Sequence, residues 1–228
     1  MQANHVLDNP VWHALNSHHA HLAIGTGLGK HYPPEVNGAA ALAEHSEAAY
    51  RDLAQLVGAG GTTALFEANP PQNMPDWTVV VAGTADQMIC QKPVPKPENT
   101  DEVVELTVAD VPQMLQLIEI AQPGPFVART IEMGRYFGIR QDGILVAMAG
   151  ERFRLNGYSE ISSVCTHPDW RGKGYARLLT SILVNMIWKD NSVPFLHVHS
   201  KNTSASRIYE SLNFVKRCDM IVHVISHS

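Results

Sequence analysis

Two dipeptides constrain the fold most strongly. Asp142-Gly143 and Asn156-Gly157 are residue pairs that accept the backbone angles a tight hairpin demands. They separate three strand-like runs, Arg135 to Arg140, Ile144 to Arg154 and Tyr158 to Thr166. The second half of the chain therefore carries an antiparallel meander. Ahead of it, Glu102 to Val108 alternates as a strand does and ends at Asp110, a good helix cap. Val111 to Ala121 follows with apolar residues at 111, 114, 115 and 118, a helical stripe. Pro123-Gly124-Pro125 stops that helix, and Phe126 to Met133 has room for a short one. Beyond the meander the pattern predicts a helix over Gly174 to Lys189 and a strand over Pro194 to Ser200. A helix over Ser204 to Leu212 and one or two strands within Phe214 to Ile225 complete it. The fold class is α+β.

The sharpest break is Gln91 to Thr100, where prolines 93, 95 and 97 forbid a helix or a central strand. It divides the chain into an N-terminal α/β region, 1–90, a proline-rich linker, 91–100, and a second domain, 101–228. In the first region, Asp8-Asn9-Pro10 opens a helix with Trp12, Leu15, His19 and Leu22 on one side. His18, His19 and His21 then read as a polar helix face. Ala39 to Val57, rich in Ala and Leu, reads as a second helix ended by Gly58. Thr63 to Phe66 and Thr78 to Ala82 read as strands. The glycines at 25, 27 and 29 make a turn, because Tyr32-Pro33-Pro34 denies the helix that a phosphate loop requires.

Composition excludes several classes. The 228 residues are 45% hydrophobic and 17% charged, which is globular, and the net charge of −5 argues against a nucleic-acid binder. Met1 to Asn16 lacks the basic start and apolar core of a signal peptide, and no apolar run is long enough to span a membrane. Three scattered cysteines, Cys90, Cys165 and Cys218, suit reduced thiols. A cytoplasmic protein without a membrane anchor is expected. Nothing in the sequence indicates an oligomeric state.

The chemistry is concentrated where the meander ends. Arg171-Gly172-Lys173-Gly174-Tyr175-Ala176 lies between a strand and a helix. Glycines there let backbone N–H groups approach an anion, and the following helix offers its unpaired first amides and positive dipole end. With Arg171, Lys173 and Arg177 nearby, this is a pyrophosphate site. It lacks the spacing of a nucleotide-hydrolase loop, and an antiparallel meander is the wrong context for a dinucleotide fingerprint.

Arg171-x-x-Gly174-x-Ala176 after Val164-Cys165-Thr166 resembles the cofactor motif of the GNAT acetyltransferase superfamily. Asn202 to Phe214 resembles that superfamily's closing motif, with Asn213 where a glycine usually stands. Asn tolerates the left-handed backbone such a helix end needs. The resemblance covers about residues 103–225 and looks closest to the glycine N-acyltransferase-like branch. It implies a mixed, mostly antiparallel sheet flanked by helices, and a first half that is a degenerate copy of the same fold. It also implies acetyl-CoA as acyl donor. The backbone of Val164, Cys165 and Thr166 would pair with the pantetheine arm. Arg171, Gly172, Lys173, Gly174, Tyr175, Ala176 and Arg177 would hold the pyrophosphate. Asn202 would bond the pantetheine arm, and Tyr209 would sit near the sulfur.

Transfer to a primary amine needs a proton acceptor for the amine and a donor for the leaving thiolate. Tyr209 is the candidate acid. His197 and Glu160 are the candidate bases, with His199 and Glu132 behind them; each is equally readable as a packed or solvated side chain. His197 and His199 share a strand face but lack a third ligand, so no metal is expected. Cys165 reads as a packing residue, which leaves direct transfer from thioester to amine. Arg152 and Arg154 suit either an acidic acceptor or an exposed strand face. The acceptor is a small-molecule or peptide amine. The alternative is a non-catalytic acyl-CoA-binding or sensing protein.

Overall fold

The computed structural model describes residues 5–70, 73–98 and 100–228; Met1 to Asn4, Pro71, Gln72 and Asn99 lie outside the described residues. Ten strands form one sheet: β1 (Gly29–His31), β2 (Ala39–Leu42), β3 (Thr62–Glu67), β4 (Trp77–Cys90), β5 (Val103–Leu106), β6 (Tyr136–Gln141), β7 (Ile144–Leu155), β8 (Tyr158–Thr166), β9 (Val193–His199) and β10 (Phe214–His227). Their spatial order is β1-β2-β3-β10-β4-β9-β8-β7-β6-β5. The helices are α1 (Pro10–Leu15), α2 (Glu47–Val57), α3 (Val111–Ala121), α4 (Tyr175–Lys189) and α5 (Thr203–Glu210). Helix α4 packs its buried Leu179, Leu183, Val184 and Ile187 on the same face as Tyr209, Leu212 and Phe214. Helices α1 and α3 cover the other face, through Val11 and Leu15 and through Met114 and Leu117. The meander β6-β7-β8 is as the hairpin signals predict, with Asp142 (φ 51°) and Gly143 (φ 80°) both left-handed at the first turn. Asn213 also takes the left-handed backbone, φ 66°.

The order of strands contains an exchange. Strand β4, from before the proline-rich segment, inserts between β9 and β10. Strand β10, from the end of the chain, runs antiparallel between β4 and β3. Each half thus places its last long strand inside the sheet of the other. Residues 91–100 then carry the chain from the middle of the sheet to β5 at its far edge. The two halves also share a local pattern. Helix α2 joins parallel β2 and β3 as α4 joins parallel β8 and β9.

Two local expectations fail. Ala39 to Val57 is not one helix: Ala39 to Leu42 is a strand, and the helix starts at Glu47. Ala39 and Ala41 pack toward α1, Ala40 and Leu42 toward α2. Burial on both faces overrides alanine's helix propensity, and Ser46 caps the true start by accepting from Ala49 N–H at 3.3 Å. Nor do His18, His19 and His21 form a polar face. Helix α1 stops at Leu15, the chain turns, and His19 swings inward to 2% exposure. It bonds the Tyr32 hydroxyl at 2.8 Å and the Met133 carbonyl at 2.9 Å, and burial lowers its pKa to about 4.

Gly150 on β7 fits because it has no side chain. A Cβ there would lie 2.2 Å from the ring of Tyr136, itself 1% exposed. Gly150→Ala should lower stability by about 1–3 kcal/mol through overpacking. A lower urea midpoint at unchanged slope would register it, while Gly38→Ala, with no atom within 4 Å of the added carbon, should leave the midpoint nearly unmoved.

Candidate active site

Strands β8 and β9 run parallel but pair only at Tyr158↔Val193, Ser159↔Pro194 and Glu160↔Phe195. Past that point β9 stays with β4 and β8 stays with β7. The edge of β8 from Ile161 to Thr166 that would face β9 is left open. A bulge drives the divergence: Ser162 pairs with Gly150 and Cys165 with Met148, so an extra residue is accommodated, with Ser163 at φ 54°. Val164 and Thr166 are half-buried along this edge. Cys165 is buried against α3, and burial raises its thiol pKa to about 12.

The loop after β8 ends at Gly174, the residue before α4. Gly172 and Gly174 take φ of 80° and 81°, a backbone that suits glycine, and both sit in open space. The first helical bond is Leu178 N–H to Gly174 C=O at 3.0 Å, and no side chain caps the helix. The backbone amides of residues 172 to 177 therefore have no acceptor among the described residues. Arg171, Lys173 and Arg177 are exposed around them, with Lys173 Nζ 4.0 Å from the Trp170 ring and Arg177 donating to the Ser211 hydroxyl. The matching helix start in the first half differs. There Ser46 occupies the cap and Glu47 puts negative charge in the first turn, so an anion finds no site.

On the other side of the cleft, Asn202 heads α5, accepting from Ala205 N–H at 3.1 Å. Tyr209 lies in the last turn of α5, one residue before its end. It is 9% exposed, and its hydroxyl has no hydrogen-bond partner among the described residues. Burial, with Cys165 nearby, raises its pKa to about 12.

Glu160 and His197 meet at the fork of the two strands, where His197 Nδ1 donates to Glu160 Oε1 at 2.7 Å. Glu160 is 1% exposed and also receives Arg152 on both oxygens, at 2.6 and 2.9 Å. Burial works to raise the Glu160 pKa, but the charge of Arg152 and the hydrogen bonds from Arg152 and His197 overcome it and bring it down to about 2. The other imidazole nitrogen, Nε2, accepts from the Gln87 amide at 3.0 Å, and the same amide donates to Leu7 C=O at 2.9 Å. Gln87 Oε1 in turn accepts from Arg217, which also pairs with Asp8. The His197 side chain is 4% exposed. His199 is exposed at the end of β9, and Glu132 is tied to Arg129 at 2.6 Å on a surface turn; neither joins this cluster.

Arg152 corrects an expectation. It is neither an exposed strand residue nor free to attract an acceptor, because a second bulge, on β7 opposite Glu160, turns it inward. It stacks against Phe153 and Phe66, with the guanidinium carbon 4.5 and 5.1 Å from the ring centres. The Asn156-Gly157 hairpin sets Arg152 nearly opposite Glu160, so this pair had a sequence signal. Gln87 and Phe66, from the first half, had none.

With this geometry in hand the chain can be compared with known proteins. A sequence profile described as FR47-like protein matches residues 136–222. A crystal structure from Novosphingobium aromaticivorans, described as an acetyltransferase from the GNAT family, is 34% identical, with 99% of this chain and 100% of that one covered at a TM-score of 0.90. The chain belongs to the GNAT family of acetyltransferases. A GCN5-related N-acetyltransferase from Kribbella flavida shares the fold at 18% identity, covering 97% of this chain and 94% of that one, TM-score 0.64. No curated protein gave a match. The protein is thus an acyltransferase of GNAT fold, and the N-terminal half absent from the FR47-like match is part of the fold shared with the Novosphingobium enzyme. None of the described helices is long and apolar enough to cross a membrane.

In this GNAT enzyme Glu160→Gln keeps the shape but leaves Arg152 buried without its counter-charge. It should cost about 3–5 kcal/mol in urea unfolding at neutral pH. The pH dependence has a definite sign. The folded carboxyl titrates near 2 against 4.5 as a free side chain, so its stabilisation is full above about 4.5 and lost as pH falls toward 2. Wild-type stability should fall across that acid window, and the variant should lack this part of the decline.

Proposed function

We propose that this enzyme moves an acetyl group from acetyl-CoA to a primary amine in one direct step. The observation that carries this is the open β8 edge leading straight to the free amides of residues 172 to 177. One feature suits an extended amide chain and the other a pyrophosphate, and acetyl-CoA contains both. In this reading Val164, Cys165 and Thr166 take the pantetheine arm along their backbone. Arg171 to Arg177 hold the phosphates. Asn202 uses its remaining amide protons toward the same arm.

The amine nitrogen attacks the thioester carbon, a C–N bond forms, and the C–S bond breaks. The departing thiolate takes a proton from the Tyr209 hydroxyl. A pKa raised to about 12 keeps that phenol protonated at neutral pH, so its proton is in place to be shared with the sulfur as charge develops there, and the proton released by the amine returns through water to restore the phenol. Cys165, equally protonated, is a poor nucleophile, which favours direct transfer over an acyl-enzyme. Glu160 and His197 act here as positioning residues. Both carboxylate oxygens and both imidazole nitrogens are already engaged, so neither offers an incoming ammonium a free lone pair. The amine's proton leaves to water at the cleft. The uncapped α4 against the capped, acidic α2 supports a first half that is a degenerate copy without donor binding. Three free thiols suit residence in a reducing cytoplasm.

Saturating coenzyme A should raise the melting temperature; a ligand at a hundred times its Kd stabilises by about 2.7 kcal/mol. No shift would remove the donor assignment. Tyr209→Phe should keep that shift and lower kcat by about a hundredfold. Wild-type kcat in the variant would take Tyr209 out of the acid role.

A further inference from the structure

Strand β4 is longer than its neighbour on the active-site side. Strand β9 ends at His199, opposite Ala85, but β4 continues to Trp77. From Thr78 to Thr84 the side of β4 that β9 would cover is bare. No backbone group in that stretch bonds anything but β10 among the described residues. Its side chains are open as well: Val79, Val80 and Val81 are 40%, 58% and 56% exposed. Trp77 to Ala85 contains no charged residue and no proline. Proteins ordinarily blunt a free edge with lysine, proline or a covering loop. Among the described residues the only such device is a bulge at Val80, and a β-branched, uncharged edge is left bare.

The location matters as much as the composition. Counted along the ladder from Glu160↔Phe195, and allowing for the extra β8 residue at the bulge, Thr166 stands about level with Ser200, so the donor-binding part of β8 runs beside the end of β9. A strand added to β4 beyond His199 would occupy the line of β9. It would have β4 on one side and the open edge of Val164 to Thr166 across the fork on the other. Antiparallel to β4, it would run in the direction of β9, with its first residue nearest His199 and therefore nearest the cleft. That is the orientation that delivers an N-terminal amine.

Resting on the acetyl-transfer reading above, we infer that the acceptor is the N-terminal amine of an uncharged, extended peptide bound as an added strand along Thr78 to Thr84. Backbone hydrogen bonds to β4 supply affinity, and Val79 and Val81, on opposite faces, meet alternate side chains. A second copy of the chain fits this edge less well. Pairing β4 with another β4 would bring that copy's β10 and β3 over the tops of β8 and β7. The loop 167–174 and the Asp142-Gly143 turn already occupy that end of the sheet. A single strand needs only the line of β9.

The test compares acetylation of an uncharged tetrapeptide with that of the amide of its first residue. The peptide should have a kcat/KM at least about tenfold higher, and N-methylation at the second or third backbone nitrogen should remove that advantage in one of the two positions. Val81→Glu, on an exposed site, should raise the peptide KM about tenfold while the melting shift with coenzyme A stays as in wild type. Equal kcat/KM for peptide and amide, or indifference to both methylations, would overturn the inference while leaving amine acetylation standing. So would light scattering that shows a dimer for wild type and a monomer for Val81→Glu, since the edge would then join two copies. If neither peptides nor any small amine is acetylated although coenzyme A still shifts the melt, the acetyl-transfer reading fails and this one with it.

Discussion

The pairing of β4 with β10 is what the rest of the structure depends on. It runs from Phe214 against Cys90 to His227 against Trp77 with two bulges along the way, and it joins a strand from before the proline-rich segment to the last strand of the sheet. Each of the two strands needs the other. Strand β4 needs β10 as its inner neighbour, and β9 needs β4 to hold it away from β8. A fork between two parallel strands is costly in open backbone groups, and it persists only if each arm is held from its outer side. Here β7 holds one arm and β4 the other. The cleft is therefore held open by a strand that precedes the residues matched by the FR47-like profile.

The same exchange explains the chemistry at the fork. Glu160 is a carboxylate without access to water, and desolvation alone would neutralise it. Arg152 prevents that, but Arg152 must then be buried too, between the rings of Phe153 and Phe66. His197 completes the set, and Gln87 fixes which of its nitrogens carries the proton. Phe66 and Gln87 come from the first half. A chain cut to the family-matched region would expose this cluster and lose the partner of His197. The first half, with no chemistry of its own in view, acts as the wall against which the charged centre is set.

Much of the second half was legible because its signals are local. Hairpin dipeptides fix two turns, a glycine loop marks the uncapped start of α4, and Asn213 marks a left-handed helix end; each depends on neighbours a few residues away. The first half was less legible for a physical reason. Ala39 to Leu42 has a helical composition and becomes a strand because it is buried on both faces, which no window of sequence reveals. The apolar spacing puts His19 on a helix that stops four residues earlier, and its two partners lie 13 and 114 residues away.

What the sequence determined by itself is one wall of the cleft: the meander, the strand before the loop, the glycines at 172 and 174, and the helix that carries Tyr209. These follow from short-range backbone preferences, which survive in any tertiary context. Only the folded chain decided that Glu160 accepts from His197 and Arg152 while His197 accepts from Gln87, and that β4 outruns β9 to leave a bare edge beside the cleft. Those depend on which distant strands become neighbours, and the energies that choose neighbours, burial of apolar surface and pairing of buried charge, are summed over the whole sheet rather than encoded at any one site.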